Sequence, residues 1–308
     1  MKKSLVALAL GGLGIGVAEF TMMGMLPDVA LDLGISIPEA GHLISAYAIG
    51  VVIGAPLFVT GMAKMSPNRT LMALMALFTI FNALSIIAPS YGSLMVSRFV
   101  SGLPHGAFFG VGAVVASQLA DKGKEAQAVA FMFSGLTIAN LLGVPIGTYI
   151  GHAFSWRYTF LLIALIGGLT VLVLHLWVPK MAARKLIGSP WRDFGIFKEP
   201  NIWFMVLIIS IAPGALFAWI SYIAPLMTEV SGIAQSNMPY IMVLAGLGMV
   251  VGNLIGGKMS DKLGPSTTII LALVFQVICM LVIYFTAAHM GMSILMTFLT
   301  GAATFAIV

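Results

Sequence analysis

Charge is what this 308-residue sequence has least of. Asp, Glu, Lys and Arg together make up 8 % of it, against about a quarter in a soluble domain. That excludes an ordinary water-exposed surface. Cysteine is nearly absent as well. Cys279 is the only one, which rules out a disulfide framework and a thiol metal site. It is expected to pack as a small hydrophobe. No nucleophile stands with a paired acid and base, so an enzyme is not expected. His42, His152 and His289 are too scattered to hold a metal. Gly11–Gly16 is a glycine run without a following Lys-Ser/Thr, so no phosphate loop drives this protein with ATP. No cofactor is expected.

What is there is apolar residue, 60 % of the chain, with a mean hydropathy of +1.08. It comes as ten continuous runs long enough to cross a bilayer as helices. Strands of a membrane barrel would alternate instead. The runs are Leu5–Leu26, Gly41–Thr60, Leu71–Ala88, Gly92–Leu119, Ala126–Ile150, Tyr158–Trp177, Ile202–Met227, Met238–Ile255, Thr268–Ala288 and Ser293–Val308. The fold class is therefore an all-α membrane protein, embedded in lipid.

The net charge of +5 has a topological cause and calls for no nucleic acid. Thirteen of the 15 basic residues lie at the N-terminus or in alternate loops: Lys2, Lys3; Lys64, Arg69; Lys122, Lys124; Lys180, Arg184, Lys185, Arg192, Lys198; Lys258 and Lys262. The opposite loops carry Asp28, Asp32, Glu39 and Glu229 with Arg157 as their one cation. The positive-inside rule places the N-terminus and the basic loops in the cytoplasm. Lys2 and Lys3 before an apolar run suggest a signal peptide. Glu19 interrupts that run and no small-x-small site ends it, so a retained first span is expected.

The sequence also repeats itself. Pro27 and Gly34 match Pro225 and Gly232, Gly50 and Gly61 match Gly246 and Gly257, and Gly92 and Gly102 match Gly291 and Gly301. Nearly constant offsets imply two parallel six-helix repeats. Residues 1–177 form the first bundle, 178–201 a cytoplasmic loop between domains, and 202–308 a second bundle holding spans seven to ten. The second half is expected to be truncated after about ten spans, with roughly 70 residues of the repeat missing. The alternative is a protein of ten spans.

Several motifs bear chemistry. Gly257-Lys-Met-Ser-Asp261-Lys262-Leu-Gly264 sits in a basic loop, where glycine lets helix ends approach and the acid can pair across the turn. The first half retains Gly61 and Arg69 but has Met65 in place of the acid. Arg98 lies inside the fourth run. A guanidinium there is costly and should face a partner or a wet cavity. Glu19 lies at a similar depth on the first run, roughly 10 Å below the outer face, so the two are expected to pair or share a cavity. A static brace between helices is the alternative. His105 lies two turns below Arg98 and titrates in the right range for proton handling, or else packs as a hydrogen-bonded core residue. Gly143-Val-Pro145-Ile-Gly147 permits close packing and a kink. Tyr47, Asn140, Phe217, Trp219 and Tyr222 are candidates to line a cavity, or to pack helices. Trp156 and Arg157 are expected to anchor the interface.

The runs Ala18-Glu19-Phe20, Met25-Leu-Pro27, Gly54-Ala-Pro56, Arg98-Phe-Val-Ser-Gly102-Leu-Pro-His-Gly and Trp156-Arg157-Tyr-Thr-Phe160, with Phe217-Ala-Trp219-Ile-Ser-Tyr222, resemble the arabinose-polymer exporter group. That group belongs to the drug:proton antiporters of the major facilitator superfamily, beside sugar and chloramphenicol efflux proteins. The loop containing Asp261 resembles the superfamily's G-x-x-x-D-[RK]-x-G signature. Gly143–Gly147 resembles the antiporter signature with altered spacing. The resemblance implies a monomeric, multi-pass exporter of the bacterial inner membrane. Such a protein moves a sugar or drug-like small molecule by alternating access, powered by a proton gradient. Glu19, Arg98 and His105 would couple the proton, and Gly61, Arg69, Gly143, Pro145, Gly147, Gly257, Asp261, Lys262 and Gly264 would serve gating. Import of a solute, or a receptor or scaffold that transports nothing, are the rival functions.

Overall fold

A computed structural model describes residues 2–183 and 195–306. Arg184, Lys185 and Arg192 lie outside the described residues, as does the side chain of Asp261. The described residues form ten helical columns: Lys2–Gly24, Ile37–Gly61, Pro67–Ile86, Tyr91–Gln118, Glu125–Ala153, Trp156–Trp177, Pro200–Ser221, Met238–Leu263, Pro265–Thr286 and Met290–Phe305. We number these as spans one to ten. Among the described residues, eight helices are long and apolar enough to cross a membrane, and Met290–Phe305 is a shorter apolar helix. The molecule is apolar outside as well as inside. Val52, Leu165, Ile211, Tyr284 and Phe285 are all exposed, which suits a protein solvated by lipid tails.

Sequence dictates the interruptions. Proline lacks the N–H that would continue the ladder, so the fourth span breaks into Tyr91–Gly102 and Pro104–Gln118. The fifth carries a π-turn at Ala139–Gly143 just before Pro145. A short helix, Leu26–Leu33, follows the first span and stops at Gly34, whose φ is +63°. Gly232 adopts φ +70° at the matching place after the seventh span. Only glycine takes that conformation without strain.

Spans one and five, two and four, and three and six pack as pairs, and eight packs on ten as two does on four. Glycine makes the last two contacts. A Cβ on Gly50 or Gly54 would strike the carbonyls of Phe99 or Leu103, and one on Gly248 or Gly252 those of Phe298 or Ala302. Gly102 lies against the Tyr47 carbonyl and Gly301 against that of Ala245. This fixes the repeat register and corrects the sequence match: Gly50 corresponds to Gly248, not Gly246. Gly246 instead meets the backbone of Asn140, across the seam between the two halves.

A second correction concerns the Gly257–Gly264 stretch. It is not a loop. Residues through Leu263 continue the eighth helix, and Gly264 at φ +82° turns the chain directly into Pro265 and the ninth. Lys262 is exposed in the last helical turn, where a cation is favoured by the helix dipole.

Candidate functional site

The fourth span presents Arg98 to spans one and two, held in place by the glycine contacts just described. Its side chain is 0 % exposed. Nη1 donates to the Ala18 carbonyl at 3.1 Å and Nε to the Leu43 carbonyl at 3.4 Å. The guanidinium lies 4.4 Å from the Tyr47 ring centre and 5.9 Å from that of Phe160, so ring faces replace part of its lost hydration. Nη2 is buried with no partner. The Tyr47 hydroxyl meets His105 Nδ1 at 3.2 Å, and the His105 ring packs on Phe109 at 5.3 Å. Arg98, Tyr47 and His105 thus form one chain of contacts from span four through span two and back to span four.

Glu19 is half-buried on span one. It makes no ion pair with Arg98, contrary to the simplest sequence expectation. Arg98 bonds instead to the carbonyl of the residue preceding Glu19. Any helix offers carbonyl lone pairs, so this arrangement leaves no trace in sequence pattern. Phe20, next along, stacks on Phe217 of span seven at 5.7 Å. Glu19 is therefore one residue from the seam between the halves.

The cavity candidates separate. Tyr47 is only 2 % exposed and belongs to the arginine cluster. Asn140 sits buried in the π-turn of span five, its Nδ2 unpartnered, with its backbone against Gly246. Trp219 is 6 % exposed and its Nε1 is also unpartnered. Tyr222, 42 % exposed, reaches across the seam so that its hydroxyl fills the space beside Gly41. The gating candidates of the fifth span pack against neighbouring helices. Gly143 faces Val17, Gly147 faces Thr21 and accepts the Thr159 hydroxyl at 2.7 Å, and Pro145 follows the π-turn. Gly61 and Gly257 have open space beside them.

The halves meet at one end of the bundle, the end with acidic loops. Asp28 Oδ1 accepts from Gln235 Nε2 at 2.9 Å and contacts His152 Nδ1 at 3.2 Å. The eighth span lies along the π-turn and last segment of span five rather than along its first segment, Glu125–Ile138. At the opposite, basic end a cavity of about 710 Å³ opens beside Leu5, Val6, Asp121, Lys124, Gln127 and Phe131.

Asp32 holds a second cluster within the first half. Trp156 Nε1 donates to it at 3.0 Å, Arg157 pairs with it, and Arg157 Nη2 also reaches the Ala88 carbonyl at 3.2 Å. The hydrogen-bonded Arg157 guanidinium holds the Asp32 carboxyl below its ordinary range. Trp156 and Arg157 thus tie spans one, three and six together. Sequence reasoning used Asp28 and Asp32 only to orient the loops. Their spacing of four residues on one short helix, which sets both on one face, was the available signal.

A family model described as Major Facilitator Superfamily matches residues 8–308. The chain belongs to that superfamily. It is 42 % identical over 307 residues to AraJ of Escherichia coli (strain K12), a match covering 100 % of this chain and 78 % of AraJ. The inner membrane transport protein YdhP of the same organism is 40 % identical over 306 residues, covering 99 % and 78 %. Among solved structures, a D-xylose–proton symporter superposes with a TM-score of 0.76 at 17 % identity, covering 99 % of this chain and 80 % of the other. At that identity the match shows the fold alone. This major facilitator is accordingly a multi-pass membrane transporter of small molecules, not an enzyme.

Proposed function

We propose that the protein is a proton-coupled exporter of sugars or small drug-like molecules in the bacterial inner membrane, working by alternating access. The observation that carries this reading is the arginine site. A fully buried guanidinium with one unused donor bonds to the carbonyl of the residue before a half-buried carboxyl, which is itself one residue from the seam between the halves. Such a carboxyl in a membrane interior is costly unless it has a use. Glu19 exchanges a proton with whichever side the cavity faces. Arg98 Nη2 is the donor free to hold the carboxylate once that proton has left. Tyr47 and His105 extend the site by one hydrogen bond.

The positive-inside rule supports a cytoplasmic basic end and N-terminus. The halves meet at the acidic end and part toward the basic one, which supports an inward-facing arrangement. The Asp28–Gln235 contact, the Tyr222–Gly41 contact and the Phe20–Phe217 stack close the outer side. Residues 1–177 and 202–308 rock about this seam, joined by 178–201. Gly143, Pro145 and Gly147 serve as the bearing between spans one and five. The helix ends at Gly61, Arg69, Gly257, Lys262 and Gly264 move as the inner side shuts. Buried amide and indole donors on Asn140 and Trp219 suit oxygen-rich cargo. Each proton carries about 2.3 kcal/mol per 100 mV of membrane potential, so the gradient is an adequate power source and no cofactor is called for.

In proteoliposomes of the full chain, Glu19→Gln should abolish efflux that depends on the pH gradient while leaving exchange of substrate for substrate. Coupled efflux at the wild-type rate would remove Glu19 from the mechanism. The direction of counterflow in the same vesicles separates export from import.

A further inference from the structure

We propose that a cleft at the basic end of the first half binds the phosphate headgroup of an anionic bilayer lipid. The cleft lies between the turn joining spans two and three and the end of span six. It encloses about 600 Å³ and is lined by Lys64, Ser66, Asn68, Arg69, His175 and Lys180. The three always-charged residues, Lys64, Arg69 and Lys180, are exposed and have no carboxylate within ion-pair distance among the described residues. The superfamily signature would set an acid among them, and this chain has Met65 there. A concentration of like charge attracts anions to it.

Two polar groups point to what that anion is. Asn68 is buried; its Oδ1 accepts the Met181 N–H at 3.3 Å, and its Nδ2 has no partner among the described residues. Ser66 stands at the N-cap of the third span without using its hydroxyl to cap it, so the first N–H groups of that 20-residue helix remain open to a ligand. An amide donor, a hydroxyl, open helix N–H groups and three cations around one cleft match a phosphate. The cleft lies where three membrane-crossing helices end, beside Trp177, and Met72 forms part of its wall. A headgroup with its glycerol against that apolar wall fits this depth better than free phosphate does. Basic pockets between helices on the cytoplasmic side are where such headgroups dock.

Native mass spectrometry of the full chain, equilibrated with equal phosphatidylglycerol and phosphatidylcholine in mild detergent, tests this. One phosphatidylglycerol should be retained in preference to phosphatidylcholine. Retention should fall roughly fivefold for each cation removed in Lys64→Gln, Arg69→Gln and Lys180→Gln, singly and combined. It should be unaffected by Lys258→Gln with Lys262→Gln, which changes the same kind of charge at the other half. All of these side chains are exposed, so the fold survives the changes, and an unshifted thermal transition verifies it. Equal retention of both lipids overturns the proposal, as does equal loss in the control pair. Displacement of the lipid by millimolar inorganic phosphate with no preference for the glycerol-bearing headgroup would assign the cleft to free phosphate and overturn the lipid assignment.

Discussion

In the first half, the second and fourth spans touch through Gly50, Gly54 and Gly102. In the second half, the eighth and tenth touch through Gly248, Gly252 and Gly301, backbone against backbone at the same places. The side chains that this common frame carries differ completely. Where the first half has Glu19, Tyr47, Arg98 and His105, the second has Phe217, Ala245, Thr297 and Thr304. The two threonines bond within their own helix, to the Ser293 and Thr300 carbonyls, and Phe217 stacks on Phe20. Helix packing in lipid depends on small residues that let backbones approach, and it places no demand on the residues between them. One repeat is therefore free to carry ionisable chemistry while its twin supplies an uncharged wall.

The largest expected break between the halves is at Arg98 and its counterpart. Arg98→Ala leaves a hole between three spans and removes the donors to Ala18 and Leu43. It should lower stability by about 2–5 kcal/mol, the range for truncating a large buried side chain, whereas Thr297→Val removes only a bond within its own helix and should cost about 1 kcal/mol. Thermal unfolding in detergent reads both. If the two variants unfold alike, Arg98 is not anchored as described. Next come Gly54→Leu and Gly252→Leu, which sharpen the comparison from the other side. The frame is shared, so the two should destabilise equally, by about 1–3 kcal/mol or more. A harmless Gly252→Leu would show that the second half packs differently.

The clasps at the acidic end give smaller effects. Asp28→Asn weakens the contact with Gln235 across the seam. It should raise labelling of a cysteine placed at the buried Ala224, whose segment packs on Leu26–Leu33 across the seam, as outer closure loosens, and unchanged labelling would exclude Asp28 from the closure. Asp32 acts inside one half only, and its change should leave that labelling untouched. The folded protein lowers the Asp32 pKa, so its contribution is present above the unfolded carboxyl pKa of about 3.9 and is lost as pH falls through the lower folded value. Asp32→Asn should cost less than about 1 kcal/mol at pH 7, because the pair is solvent-exposed. The gap from wild type should close below about pH 4. A gap that widens in acid would contradict the assignment.

Much of this was legible in the sequence, and the limits are physical. Continuous apolar runs announce helices because lipid leaves the backbone no other partner, so each sequence run coincides with a helical column. The register of the repeat was misread by two residues at the second span alone; the matches after the first span and in the fourth hold. Gly246 and Gly248 both lie in the eighth span, and only packing shows which one meets the tenth. Arg98 stood out because a buried cation has to be explained, but carbonyl acceptors are present on every helix and carry no residue signature. Tyr47 read as a cavity aromatic; its place beneath the guanidinium depends on how closely Gly50 and Gly102 let two spans approach. Asp28 and Asp32 looked like surface charge because their partners, Gln235, His152, Trp156 and Arg157, are more than 100 residues away.

The central claim is that one half alone carries the exchangeable proton, on Glu19. Infrared difference spectroscopy of the full chain through a pH titration in lipid tests it most directly. A protonated-carboxyl stretch should appear that is lost in Glu19→Gln, persists in Asp28→Asn and shifts when Tyr47→Phe or His105→Gln alters its surroundings. A carboxyl band that survives Glu19→Gln unchanged would place the proton elsewhere and contradict the account.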